Sequence, residues 1–231
     1  MRLNTLDNTI EHGSWFRGKL FPMRCDVSFD GEWMVYFAAG AASNTWNGVC
    51  RLPFLRTSLE SEHHSTYHGG GYWRDRNTLM LNQWWRSIEG SVPFELESMP
   101  STHVDSDPAV LYSRLKRDGW EPSPEPAIAQ DSGWRIRPTP RHPYLRLWSL
   151  GYSAQKGGYV FRFKIDDFTD MLDDRVTWAC WDNLHNLIFA RLGIVYKYSL
   201  SDLQCGQPGA QFDLEPLTPP KLELNPESIS P

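Results

Sequence analysis

Apolar and polar positions in this chain alternate over short runs, and turn residues separate the runs at close intervals. The clearest run is Cys25–Ala38, CDVSFDGEWMVYFA, where the turn pair Asp30-Gly31 leads into the apolar and aromatic stretch Trp33–Phe37. Tyr72-Trp73, the turn Asp75–Asn77 and the strand Thr78–Asn82 repeat the theme. So does Val176–Trp181, which passes through Asp182-Asn183 into Leu187–Arg191, turns at Gly193 and ends in Ile194–Tyr198. Further strands are predicted over Trp15–Pro22 with a bend at Gly18, Thr45–Leu52, Phe54–Leu59, Phe94–Met99, Tyr144–Tyr152 and Tyr159–Lys164. Residues 1–14 and 60–71 read as polar and loop-like, and prolines at 122, 124, 126, 138, 140 and 143 exclude a regular central strand along residues 121–143.

Two segments depart from the β pattern. Asp107 suits an N-cap, Pro108 the first helical position and Gly119 the position past the end, while Leu111 and Leu115 share one face. This predicts a helix over 107–118, with a strand through Val110–Tyr112 as its competitor. Residues 166–174 predict one or two helical turns, with Phe168, Met171 and Leu172 on one side. From residue 204 onward the chain has six prolines and scattered acids, the composition of an extended or disordered arm. The expected organisation is one domain over 1–203 followed by a Pro-rich acidic tail over 204–231.

Composition strengthens the β reading. Of the 231 residues 13% are aromatic, 11 of them Trp, and such side chains suit pleated, half-buried surfaces. The net charge of −5 argues against general nucleic-acid binding, which calls for a basic surplus. No apolar run of membrane-spanning length occurs, the N-terminus lacks a secretory pattern, and the four cysteines form no C-x-x-C pair. The expectation is a cytoplasmic protein with reduced thiols, bound to no membrane.

Ser28–Ala38, SFDGEWMVYFA, resembles the repeat of TolB-like propellers, in which a Ser-x-Asp-Gly turn precedes the second strand of a blade. Asp75–Met80 and His185–Ala190 align with it loosely, and Gly-Gly-Tyr occurs at 70–72 and again at 157–159. The first two copies are separated by about 45 residues, the period of WD-type blades. Arg24–Asp26, Thr45-Trp46, Gly69–Gly71, Arg117–Trp120 and Trp178–Asp182 taken together resemble small bacterial propeller-like proteins with no assigned activity. The resemblance implies an all-β fold, a small degenerate β-propeller of four or five blades, some incomplete, with short helical insertions. A two-sheet β-sandwich is the alternative.

The candidate chemistry lies where the repeat is broken. Trp46, Trp73, Trp84 and Trp85 neighbour loops and are the candidates for an exposed aromatic surface; packing between blades is the expected role of most other tryptophans. Arg135, Arg137 and Arg141, with Arg146 and His142, make the basic stretch, and Trp134, Tyr144 and Trp148 are interleaved with them. Docking onto an acidic protein surface is the functional expectation there, against plain solvation. His63, His64 and His68 are metal-compatible in type, but their spacing converges only on a helix, which Gly69–Gly71 opposes. Neither a metal nor another cofactor is expected. The aspartates at 166, 167, 170, 173 and 174 lack a calcium-loop pattern and read as an exposed loop.

No nucleophile elbow or paired-carboxylate motif stands out. The function expected is therefore non-catalytic: an adaptor, assembly component or immunity-type protein that binds another protein through loop aromatics and arginines, residue types that anchor interfaces. The alternative is a hydrolase acting on a small or sugar-like substrate in the propeller channel.

Overall fold

The computed structural model of the chain describes residues 1–40, 44–63, 68–82, 87–100, 106–124, 133–153, 155, 158–168 and 170–219. The chain is mostly β, with 44% of these residues in strands and 11% in helices, and no sheet among the described residues closes on itself. No helix among the described residues is long and apolar enough to cross a membrane. The chain divides into two compact units, residues 1–173 and 174–231.

The first unit begins with β1 (Arg2–Asn4), β2 (Thr9–Glu11), β3 (Lys19–Leu20), a 3-10 turn at Pro22–Arg24, β4 (Asp26–Val27), β5 (Trp33–Ala39), β6 (Thr45–Arg51) and β7 (Thr57–His63). It continues through β8 (Gly71–Trp73), β9 (Thr78–Leu81), β10 (Glu89–Gly90), β11 (Glu95–Ser98), helix α1 (Ser106–Arg117), β12 (Glu121–Pro122), β13 (Trp134–Ile136), β14 (Leu145–Ser153) and β15 (Gly158–Ile165). A six-stranded sheet runs β10-β7-β6-β5-β3, with β4 also paired to β5; a three-stranded sheet runs β11-β9-β8; a four-stranded sheet runs β12-β13-β14-β15. Every pair is antiparallel except β11 with β9.

The core is layered around β5. Val35, Val49 and Leu59 of the six-stranded sheet meet Trp73, Leu79 and Leu81 of the three-stranded sheet. On the other face of β5, Tyr36, Ala38 and Cys50 pack with Phe16, Leu20 and Met34. Both faces of the strand are covered, so Val35–Ala38 is buried without a break. This is why Trp33–Phe37 reads as a continuous apolar run. Gly48 lies opposite Tyr36, and a Cβ there would sit 2.3 Å from the Tyr36 ring, so only glycine lets that ring lie across β6.

Helix α1 covers the far side of the three-stranded sheet, where Met80 and Met99 meet Val110. Leu111 and Leu115 are buried on the same helix, which settles the helix against the competing strand. The helix starts at Ser106, so Asp107 lies within its first turn and is not the cap. There its carboxylate faces the positive helix end, as the last-turn Arg114, Lys116 and Arg117 face the negative one. Gly119 follows with φ of +84°, a left-handed position that only glycine adopts without strain.

Four local expectations are corrected. The polar arm at 1–14 contains the β1–β2 hairpin, held by the cross-strand bonds of Arg2 to Glu11 at 2.7 and 3.1 Å and by Asn4 and Asp7 accepting from the turn amides of Leu6 and Thr9. The Trp15–Pro22 strand shrinks to Lys19–Leu20. The polar stretch from Glu60 begins as strand, because β7 continues to His63 against Thr45. Residues 166–174 form turns, with no helix among those described.

The second unit contains β16 (Val176–Trp181), β17 (Leu187–Arg191), β18 (Ile194–Tyr198), α2 (Leu200–Cys205) and β19 (Ala210–Asp213), its strands in that order in one antiparallel sheet. The Pro-rich segment therefore starts later than its composition suggests: residues 204 and 205 finish a helix, and 210–213 pair with β18. Ser199 and Asp202 form a capping box, and Gly206 closes α2 at φ of +63°. Phe189, 1% exposed, stacks on Tyr196 at 4.8 Å.

One turn device recurs before β5, β9 and β17. The Asp30 carboxylate accepts from the Glu32 amide at 3.0 Å, Asp75 from the Asn77 amide at 2.9 Å and Asp182 from the Leu184 amide at 2.9 Å. Each is an Asx turn two residues deep. In the first, Ser28 adds a bond to the Asp30 carboxylate and accepts from the Trp33 amide, which accounts for Ser-x-Asp-Gly at that position.

No two of the four cysteines form a disulfide. Burial pushes the Cys25 thiol up to about 11 and does the same to Cys50. Iodoacetamide at mildly alkaline pH is expected to label exposed Cys205 within minutes and to leave Cys25 and Cys50 unlabelled while the chain is folded, as read by peptide mass spectrometry. Because both folded values are raised above the ordinary 9.0, the stability they contribute is present below pH 9 and is lost as pH climbs towards 11. Labelling of Cys50 at the rate of Cys205 would contradict this.

Candidate functional site

Two gatherings of charged side chains in the first unit differ in exposure: one is buried, and the other leaves a cation exposed beside an aromatic ring. The buried gathering joins the 3-10 turn and β4 to α1. Asp26 pairs with Arg117, whose second amino group lies 3.3 Å away, and accepts from the Trp73 amide at 2.8 Å; Arg114 lies 3.4 Å from the same carboxylate. Arg24 pairs with Asp107 and donates to the His68 carbonyl at 3.2 Å. Arg114 and Arg117 also donate to the carbonyls of Cys25, at 2.5 Å, and Trp73, at 2.7 Å. Burial works to lower the Arg117 pKa, but bonds to Asp118 and Asp26 outweigh it and hold the guanidinium above its ordinary value. Together these ion pairs and hydrogen bonds clamp α1 to the 3-10 turn and to β4.

The second gathering is built on the four-stranded sheet. Trp134 opposite Leu147 and Ile136 opposite Leu145 send one face into the core, where Trp134, Leu145 and Leu147 are buried. The intervening positions form a row on the opposite face: Glu121, Arg135, Arg146 and Lys164 on neighbouring strands. Like charges directly opposite one another are unfavourable. Two acids offset them. Glu121 lies 2.8 Å from the Arg135 guanidinium, and Asp166 holds Arg146 through two bonds of 2.6 and 2.8 Å.

Tyr144, just before β14, is the centre of this face. Its ring lies 4.5 Å from the guanidinium carbon of Arg135, 4.4 Å from that of Arg137 and 5.9 Å from that of Arg146. A cation over an aromatic ring gains about 0.5–2 kcal/mol depending on solvation. Arg137, just past the end of β13, is exposed and has no acidic partner among the described residues. Arg141 is exposed on the following loop, where Thr139 bonds its amide at 3.3 Å and the His142 ring at 2.7 Å. The basic stretch thus separates into Arg135 and Arg146, each paired with an acid, and two exposed cations, Arg137 over the Tyr144 ring and Arg141 on the loop that follows.

The other candidates fall differently. Trp73 was expected at the surface but is 1% exposed, since Val35, Val49 and Leu59 of the six-stranded sheet cover β8 and Phe94 closes on the ring. Trp46 is half-buried on β6, 5.9 Å from the Phe16 ring. Both face the core side of a strand, where proximity to a loop in sequence says nothing of exposure. Trp84, Trp85 and His64 lie outside the described residues, as does the side chain of His63. His68 is half-buried, and its carbonyl is taken by Arg24. No group of three or more His, Cys, Asp or Glu side chains suited to a metal occurs among the described residues.

The aromatic residues that do reach the surface among those described are ones not chosen as surface candidates from the sequence: Trp15, Phe29, Phe54, Tyr152 and Trp178. Tyr152 is 65% exposed and meets Tyr159 edge to face at 5.8 Å across the β14–β15 hairpin. The register shift between Ser149 and Tyr152 turns Tyr152 outward. Gly151, at φ of +83° inside a strand pattern, was its sequence signal.

No protein-family model, curated protein or solved structure matches this chain.

Proposed function

We propose that the protein is a non-catalytic interaction module that docks an acidic segment of another protein against Arg137, Arg141 and the Tyr144 ring. The observation that carries this reading is Arg137: an exposed guanidinium, pre-oriented on an aromatic ring, with no acid beside it among the described residues, in a chain whose net charge is −5. An acidic protein has many carboxylates with which to neutralise a surface arginine, and it neutralises Arg135 and Arg146 next door. A partner's carboxylate would meet a guanidinium fork already placed, which lowers the ordering cost of binding.

We further read the sheets as degenerate blades of a small propeller. Two four-stranded antiparallel sheets and the Asx turn shared by Asp30, Asp75 and Asp182 support that reading. Reduced cysteines suit a cytoplasmic protein.

The test is cross-linking in native extract with the wild type, an Arg137→Glu/Arg141→Glu variant and an Arg17→Glu control. A partner recovered by the wild type and the control but lost by the double variant, with recovery falling as salt rises to about 0.5 M, is the expected outcome. Recovery of the same proteins by all three chains, or of none, sinks the proposal. Arg137 and Arg141 are exposed, so the melting temperature of the double variant is expected to stay within about 2 °C of the wild type.

A further inference from the structure

A cleft of about 480 Å³ lies over the β6–β7 connection, and no residue of the Arg137–Tyr144 face lines it. The N-terminal segment helps to build it. Ser14 accepts from the Leu55 amide at 3.1 Å, and Gly13 rests so closely on Pro53 that a Cβ there would sit 1.9 Å from the Pro53 carbonyl oxygen. Arg2 of β1 crosses to Glu32 at 2.8 Å while holding Glu11 at 2.7 Å. The chain thus spends bonds on fixing the walls of the cleft, and its size is within the range of small-molecule sites, about 300–1,000 Å³.

The lining has a definite chemistry. Three arginines, Arg2, Arg51 and Arg56, face two glutamates, Glu11 and Glu32, leaving one positive charge in excess. Arg2 is saturated by both glutamates. Arg51 is 69% exposed and touches Glu32 only at 3.4 Å, and Arg56 is exposed with no acidic partner among the described residues. Phe54, 55% exposed, and the Leu52-Pro53 pair supply an apolar wall beside these cations. A fork of donors next to an exposed ring selects an oxyanion joined to a flat apolar group.

We propose that this cleft binds a small organic oxyanion with an aromatic body, the carboxylate or phosphate on Arg56 and Arg51 and the ring against Phe54. The site is independent of the Arg137–Tyr144 face, so either can fail alone.

The probes are benzoate, phenyl phosphate and neutral benzyl alcohol, titrated onto the full chain and followed by saturation-transfer NMR. At least one anion is expected to bind saturably below about 10 mM, and benzyl alcohol about tenfold more weakly or not at all. Arg56→Ala is expected to weaken the anion about tenfold with an unchanged thermal melt, and Arg56→Lys to retain part of the affinity. Preference for the carboxylate or for the phosphate identifies the natural headgroup. Equal binding of the neutral probe, wild-type affinity in Arg56→Ala, or no saturable binding of either anion would overturn the proposal.

Discussion

Replacing Asp26 by alanine is expected to cost about 3–5 kcal/mol of stability, the range for breaking a buried ion pair from one side. Asp26 is 6% exposed on a two-residue strand, yet it neutralises Arg117, faces Arg114 and accepts from the Trp73 amide. Alanine would leave two guanidiniums facing an empty pocket and a buried amide with no acceptor. Asp118 still meets Arg117 in that variant and moderates the loss. Urea denaturation of the full chain, followed by tryptophan fluorescence and far-ultraviolet circular dichroism, checks the magnitude. Asp26→Asn is expected to lose nearly as much, because an amide nitrogen would point at a guanidinium. A double-mutant cycle with Arg117→Ala should return a coupling of about 1 kcal/mol or more. A loss below about 1 kcal/mol in Asp26→Ala would show that the clamp is unimportant to the fold.

Trp73→Ala is expected to destabilise the chain by a similar amount, about 3–5 kcal/mol, through the cavity it leaves. The Trp73 ring fills the space between the six-stranded and three-stranded sheets and meets Phe94 edge to face at 4.4 Å. Its indole N–H is buried without a partner. Trp73→Phe removes that orphan donor together with part of the volume, so its cost should be markedly smaller, about 1–2 kcal/mol. The pair of variants separates a core role from a surface one. A surface tryptophan replaced by alanine leaves the melt unchanged, and that result would return Trp73 to the list of docking residues.

Elements with a local cause were legible in the chain. Trp33–Ala39, Thr78–Leu81 and Leu187–Arg191 each follow an aspartate whose carboxylate makes its own turn, so three residues carry both the stop and the start. Helix α1 was legible for the same reason: Pro108, Gly119 and the Leu111–Leu115 spacing act within one turn or at one end. The β1–β2 hairpin was not, because its strands are joined by the Arg2–Glu11 pair and by Asx bonds, and no apolar alternation marks them. The parallel pairing of β11 with β9 was not legible either, since strand propensity carries no address for a partner.

The candidate site divides along the same line. That Arg135, Arg137 and Tyr144 belong to one basic and aromatic stretch is a property of the sequence. That Arg135 and Arg146 stand opposite each other, neutralised, while Arg137 remains exposed, follows from strand register and from Glu121 and Asp166 arriving from elsewhere in the chain. By itself the sequence determined the turns, most of the strands, the helix and the class of fold, because those depend on steric and hydrogen-bond preferences within a few residues. Only the tertiary structure decided that Trp73 is core and Tyr152 surface, that Asp26 clamps α1, and that Arg2 and Arg56 share a cleft. Burial and charge pairing are set by groups far apart in the chain, and their free energies appear only when those groups meet.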